Sequence, residues 1–370
     1  MILTTIVLFL LILGIIVFFH ELGHFFMAKL YGVKVEEFGI GFPPKIFGFK
    51  KGETEYTLNW IPLGGFCKIV GEDGENKKDP RSFGSKSIFQ RFQIISAGVI
   101  MNFFMAFVIY SIVFMVGAPM DLRNEDLSKA KKVENQEVMI IDVLKETPAG
   151  SVGLRVGDVV LKANEKKINN IEDLQSFTQE NLGQTVVLTI YRGGETIKEE
   201  IIPRKEYPKG EGAMGVSLAD TAKVSFPILE SIKRGYERTV LLTIFIIAAF
   251  GGIIQNLITT GKTAVEVAGP VGIATMTSQA ASLGFIAILN FIALISVNLA
   301  IINALPFPAL DGGRLVFLLV EKIKGSPIKQ EWEARANNFG FILLMALMVV
   351  VTFGDIAKLD VWGKVMGLFG

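Results

Sequence analysis

Long uncharged stretches alternate along this chain with densely charged ones. No Asp, Glu, Lys or Arg occurs in residues 1–19, 92–120, 239–261, 267–310 or 336–354. A bilayer-crossing helix needs about 20 mostly apolar residues, so several of these stretches predict membrane spans. The first runs without a break into His20-Glu21-Leu22-Gly23-His24 and lacks both a basic start and a small-residue cleavage site. It reads as one retained helix over residues 2–31 rather than a removed signal. The stretch 267–310 is too long for one helix and is punctuated by Gly269-Pro270-Val271-Gly272 and Pro306-Phe307-Pro308. A span fits around Gly284–Asn303, followed by irregular chain through Asp311. The last span is expected over 337–353.

Lys and Arg in short loops set the orientation. Residues 29–91 hold eleven Lys/Arg against eight Asp/Glu, and residues 321–335 hold four Lys/Arg. Both segments read as cytoplasmic, which puts 121–220 outside. A full crossing by 239–261 would then place Asp311 on the opposite side from His20. Gly251-Gly252 and Gln255-Asn256 weaken that stretch as a span, and it reads as membrane-associated or re-entrant. The expectation is an α-helical polytopic membrane protein with about four transmembrane helices.

Residues 121–220 break the apolar pattern with fourteen Lys/Arg and eighteen Asp/Glu. Short strand-like runs, Val138–Val143 and Thr185–Tyr191, flank Thr147-Pro-Ala-Gly-Ser-Val-Gly-Leu154 and Gly157-Asp-Val-Val-Leu161, and 171–182 reads as an amphipathic helix. This order resembles a PDZ domain in the permuted arrangement of bacterial proteases. Met214-Gly215-Val216 looks like the loop whose backbone N–H groups cap a peptide carboxylate, with 215–218 as a strand edge for β-augmentation.

Composition narrows the function. The chain is 51% apolar, and its mean hydropathy of +0.47 excludes an ordinary soluble enzyme. The formal net charge of +1 excludes a nucleic-acid binder relying on bulk positive charge. A single cysteine, Cys67, rules out intrachain disulfides and Cys-based zinc clusters. There are only two histidines, His20 and His24.

Those two histidines complete an H-E-x-x-H pattern. Positions i and i+4 share one helix face, so the imidazoles can hold one Zn2+, and Glu21 sits where it can take a proton from a water held by that metal. Burying three ionisable groups at membrane depth costs several kcal/mol unless something pairs them. A catalytic zinc needs a third protein ligand and an open position. With no third histidine, that ligand is a carboxylate or Cys67. Asp311 ends the longest uncharged run, inside Asn303-Ala-Leu-Pro-Phe-Pro-Ala-Leu-Asp-Gly-Gly313, where it would need a compensating cation.

Together these features resemble the site-2 protease family of intramembrane zinc metalloproteases, nearest the bacterial regulator-of-sigma-E group. The likeness rests on His-Glu-x-x-His in the first helix, Asn-x-x-Pro-x-x-x-Leu-Asp-Gly in a later one, and a PDZ-like segment between them. Secondary echoes are Asn59–Phe66, Ser96-Ala-Gly98 with Asn102, Gly269-Pro270 and Leu294–Leu299. The resemblance implies His20, His24 and Asp311 as zinc ligands, Glu21 as catalytic base and Asn303 as a substrate contact. It implies single-span membrane proteins as substrates, as in anti-sigma factor release or clearance of remnant signal peptides, and a bacterial cytoplasmic membrane location with the active site toward the cytoplasm. Only one PDZ-like segment fits, where many relatives carry two, and Phe38–Pro43 only partly matches the family's Gly-rich loop.

Residues 56–61 and 65–70 are expected as strands flanking Pro62-Leu-Gly64, a membrane-associated hairpin within 53–72 that dips toward the active site. Trp60, Gly64 and Gly65 would pair there with an unwound substrate. The organisation expected is thus an N-terminal membrane half (1–120), an extracytoplasmic PDZ-like domain (121–220) binding a peptide or substrate ectodomain, a membrane-associated linker (221–282) and a C-terminal membrane half (283–370). The basic flank 225–238 would be either an amphipathic gate or a simple anchor. The competing readings are a catalytically inert membrane-anchored PDZ adaptor or chaperone, and a cation transporter.

Overall fold

The computed structural model describes residues 2–72, 79–122, 126–208, 210–261 and 268–358. In chain order the helices are α1 (Ile2–Leu30), α2 (Ile88–Val116), α3 (Pro148–Ser151), α4 (Ile171–Glu180), α5 (Ile228–Thr260), α6 (Pro270–Ser282), α7 (Phe285–Ala304), α8 (Asp311–Lys324) and α9 (Gln330–Lys358). The strands are β1 (Val35–Lys51), β2 (Thr54–Ile69), β3 (Ala118–Asp121), β4 (Lys132–Val143), β5 (Val159–Ala163), β6 (Lys166–Lys167), β7 (Val186–Arg192), β8 (Glu195–Ile201) and β9 (Val216–Ser225). They fall into two compact units, one of residues 1–109, 237–279 and 291–370, the other of residues 110–236 and 280–290.

In the first unit apolar sequence becomes helix because a chain in hydrocarbon must satisfy its own backbone groups. Five described helices, α1, α2, α5, α7 and α9, are long and apolar enough to cross a bilayer. That is one more than the sequence suggests. The added helix is α5, which runs unbroken from Ile228 through Gly251-Gly252 to Thr260. Neither glycine meets a neighbouring group where a Cβ would stand, so neither marks a break. The basic flank 225–238 of the expected linker 221–282 supplies, from Ile228 on, the first turns of this helix. The chain leaves the second unit after Tyr236 and rejoins it at Ala280. The excursion through α5 and α6 therefore returns, and α7 starts in the same unit as α5.

The sheet of the first unit corrects the expected hairpin. Residues 56–61 and 65–70 do not pair with each other. Val35–Phe42 oppose Ile69–Ile61, Lys45–Lys51 oppose Asn59–Thr54, and Glu37–Ile40 also lie beside Glu55–Leu58. Both halves of β2 thus pair with β1. Pro62 lacks an N–H, and Gly64, at φ +102°, bends the strand instead of reversing it. A core of Ala28, Val33, Val35, Phe38, Cys67, Ile69, Phe83, Ile94, Ile95 and Leu318 ties this sheet to α1, α2 and α8.

The second unit holds a sheet in the order β3-β9-β4-β5-β7-β8, with β6 on β5. Its core packs Val138, Ile140, Leu154, Val160, Leu174, Leu188, Ile190 and Met214. Thr147 caps α3 and Asn170 caps α4, each side chain accepting from a first-turn N–H. The expected boundary at residue 121 falls at the last residue of β3, and the sheet extends to Ser225. Asp158, 1% exposed, accepts two hydrogen bonds of 2.6 Å from Arg192 and one of 2.8 Å from the Arg155 N–H. This pairing holds the Arg192 guanidinium above its ordinary pKa.

Removing one partner of a buried ion pair costs about 3–5 kcal/mol. Asp158→Ala should therefore lower the urea midpoint at which proteases cut within 132–225 of the purified protein. An unchanged midpoint would contradict this role for the pair.

Candidate metal centre and active site

His20, Glu21 and His24 occupy consecutive turns of α1, which carries no charged residue before them. The His20 and His24 rings meet edge to face, 4.8 Å between centroids. Their Nε2 atoms are 3.2 Å apart. Asp311 completes the group, its Oδ2 lying 3.0 Å from His20 Nε2 and 3.4 Å from His24 Nε2. All three donor atoms lie within 4.8 Å of one another.

Local sequence explains how residues 287 positions apart (311 − 24) reach one point. Prolines 306 and 308 end the helical path after α7, and Ala309 adopts φ +74°. Its N–H donates to Asn337 Oδ1 on α9. The chain then re-enters helix at Asp311, where a first-turn carboxylate suits the positive end of the dipole. Gly312 lies so close to the end of α7 that a Cβ would stand 2.1 Å from the Leu305 carbonyl oxygen. At Gly313 the corresponding distance to the Phe307 oxygen is 2.3 Å. Only glycine permits this turn.

Two further glycines set the distance between α1 and α2. A Cβ on Gly23 would stand 2.3 Å from the Ala97 oxygen, and one on Gly98 would stand 2.4 Å from His24 Nε2. The same approach orients the rings. His24 Nδ1 lies 2.9 Å from the Ile94 carbonyl oxygen, and His20 Nδ1 lies 3.3 Å from the amide nitrogen of fully buried Asn102. Asp311 Oδ2 is buried and meets the imidazoles without a hydrogen bond of ordinary angle.

Of the residues expected to contact substrate, Gly65 packs against Glu21. A Cβ there would be 3.7 Å from Glu21 Cγ and 2.9 Å from the Gly39 oxygen. Gly64 packs at Phe42 and Val17. Trp60 is 67% exposed on the same strand. Asn303 is partly buried in the last turn of α7, on the turn that leads to Asp311. Cys67 sits in the sheet core, where burial pushes its thiol pKa up and keeps it protonated. It is absent from the described His/Asp group.

The remaining three belong to the second unit. Met214 is buried in its core. Gly215, at φ +79°, donates its N–H to the Gly212 oxygen, so that donor is not available to a peptide carboxylate. β3 pairs with β9 only at Thr221–Val224. The half of β9 starting at Val216 has β4 on one side and, on the other, a groove of about 490 Å3 lined by Leu174, Thr178, Met214, Val216 and Leu218.

The sequence carries no signal for the contributions of Asn337, Gly23 and the partly buried pair of Arg91 on α2 and Glu321 on α8, at 2.5 and 3.0 Å. None carries a local motif; each shows only once distant helices are packed.

Residues 8–347 match the model of peptidase family M50. A relative from Clostridium perfringens is 38% identical over 91% of this chain and 94% of its own length. The regulator of sigma-W protease RasP of Bacillus subtilis is 32% identical over 97% of this chain and all of its own. The zinc metalloprotease RasP of Oceanobacillus iheyensis is 31% identical over 96% and 99%.

The glycine geometry makes a prediction. Overpacking typically costs about 1–3 kcal/mol. Gly23→Ala and Gly98→Ala should each lower the melting temperature in detergent, while Gly14→Ala, which meets open space, should leave it unchanged or higher. Equal effects at all three positions would contradict the close approach.

Proposed function

The chain belongs to peptidase family M50, and on that footing we propose that it is a zinc endopeptidase of a bacterial membrane, cleaving the membrane-spanning segments of single-span proteins. The observation that carries this reading is the convergence of two imidazole nitrogens and one carboxylate oxygen beside Glu21.

The donor set suits the metal. Three protein ligands of N and O type leave a fourth position open, as catalytic zinc requires. Asp311 Oδ2, buried beside two imidazoles without an ordinary hydrogen bond, is an atom a cation would satisfy. His20, His24 and Asp311 would hold the ion, and Zn2+ bound there supplies Lewis acidity toward a carbonyl oxygen and makes water a better nucleophile.

The chain's own groups do the rest. Glu21 takes a proton from the attacking water and returns it to the departing amide nitrogen as the peptide C–N bond breaks. Asn303 donates its amide N–H toward the substrate carbonyl oxygen. A membrane helix has its backbone groups satisfied internally, so the substrate must unwind before Glu21 can act on it. The segment 61–69 of β2 has β1 as its partner on one edge, and its other edge offers backbone groups to an extended substrate by strand addition. Gly64 and Gly65 let that substrate pass close to Glu21, and exposed Trp60 adds an apolar contact. The groove between β9 and α4 would take a peptide or part of a substrate ectodomain. The basic loops support an active site that faces the cytoplasm and a PDZ-like domain outside. Release of an anti-sigma factor, or clearance of remnant signal peptides, fits such a site.

Purified protein should carry about one zinc per chain. His24→Ala and Asp311→Ala should lose it, and Cys67→Ser should keep it. Glu21→Gln should keep zinc and abolish cleavage; comparing the membrane proteomes of cells carrying wild-type and Glu21→Gln protein should reveal uncleaved single-span proteins in the variant. A fully active Glu21→Gln protein would overturn the mechanism.

A further inference from the structure

The two imidazoles are held differently. His24 Nδ1 faces a main-chain carbonyl oxygen, that of Ile94, at 2.9 Å. A carbonyl only accepts, so it fixes the proton on His24 Nδ1 and leaves Nε2 with its lone pair toward Asp311. His20 Nδ1 faces no carbonyl at hydrogen-bond distance among the described contacts; its neighbour is the side-chain amide of Asn102, 3.3 Å away. Asn102 is 0% exposed, and its Oδ1 is buried without a hydrogen-bond partner. An orphaned buried amide oxygen calls for an explanation.

An amide can be turned end for end with almost no change in shape. With Nδ2 toward His20, Asn102 donates to Nδ1, and the proton of the ring lies on Nε2, which then donates to the His24 Nε2 lone pair 3.2 Å away. Turned over, Asn102 presents the now orphaned Oδ1 as acceptor, the ring proton moves to Nδ1, and Nε2 is free to ligate. The backbone of Asn102 is fixed for this purpose: its carbonyl accepts from Ser296 Oγ on α7 at 2.9 Å, and Ser296 is itself fully buried.

We propose that Asn102 is the positioning residue of His20, an amide on α2 that turns over when the metal binds and selects the ligating tautomer of the imidazole. Asn102 touches neither substrate nor metal; it acts through His20. The inference rests on the zinc reading above. A group that orients a metal-bound histidine is commonly worth about 10–100-fold in affinity.

Two measurements on the full-length protein in detergent test it. Zinc affinity is read by competition with a chelator. Asn102→Leu should bind zinc about 10–100-fold more weakly than wild type, and Asn102→Asp, an obligate acceptor, should stay within about threefold of it. Because the chain has two histidines, 15N-histidine labelling gives a spectrum of two rings. In wild-type protein the proton of His20 should lie on Nε2 without zinc and on Nδ1 with it, while that of His24 stays on Nδ1. The spectrum needs no variant, so a poorly folding Asn102→Leu protein leaves the proposal exposed to refutation. Wild-type zinc affinity in Asn102→Leu, equal losses in Leu and Asp variants, or a His20 proton on Nε2 in the zinc-loaded protein would each overturn it. Failure of the wild-type protein to bind zinc would instead overturn the metalloprotease reading, and this inference with it.

Discussion

Two imidazoles and a carboxylate share a few ångströms of space among apolar helices, and much of the first unit is arranged around making that possible. Ionisable groups in such surroundings are unfavourable unless they compensate one another or a cation. The compensation is achieved by geometry. α1 presents two histidines one turn apart, α8 brings its first residue to them, and α2 passes close enough to cover both rings. Each approach is governed by glycine: Gly23 and Gly98 between α1 and α2, Gly312 and Gly313 at the turn before α8. A methyl group at any of them would displace backbone or ligand atoms.

The same constraint links site and topology. Asp311 meets His20 and His24 only if the chain between α2 and α7 ends where it began. The second unit contains the end of α2, the start of α5 and the start of α7. Within it, the turn after α6 seats on the PDZ-like sheet, where Cβ atoms at Gly157 and Gly193 would meet Leu283 and Ser282.

Much of this was legible in the chain. H-E-x-x-H needs only helical periodicity, and the uncharged stretches needed only length. The absence of a third histidine pointed to a carboxylate, and the Pro-rich, Gly-terminated run to Asp311 pointed to which one. The β-rich domain could be read from short alternating runs and turn residues. What stayed hidden depends on non-local pairing. Residues 56–61 and 65–70 have the composition of a hairpin, but β1 competes for both and wins, since Gly39 lets Thr57 and Phe66 pack against it from either side. Gly251-Gly252 looks like a helix break, yet glycine facing open space inside an apolar run costs little when leaving the helix would strand backbone groups. Asn102 is one polar residue in an apolar helix, and nothing local reveals that its amide meets His20.

The central claim is that His20, His24 and Asp311 form one zinc site. Zinc K-edge X-ray absorption of the purified Glu21→Gln protein addresses it most directly. The spectrum should show two imidazole nitrogens at about 2.0–2.1 Å, oxygen ligands completing the shell and no sulfur at about 2.3 Å. A sulfur ligand, fewer than two imidazoles, or no bound zinc would contradict it.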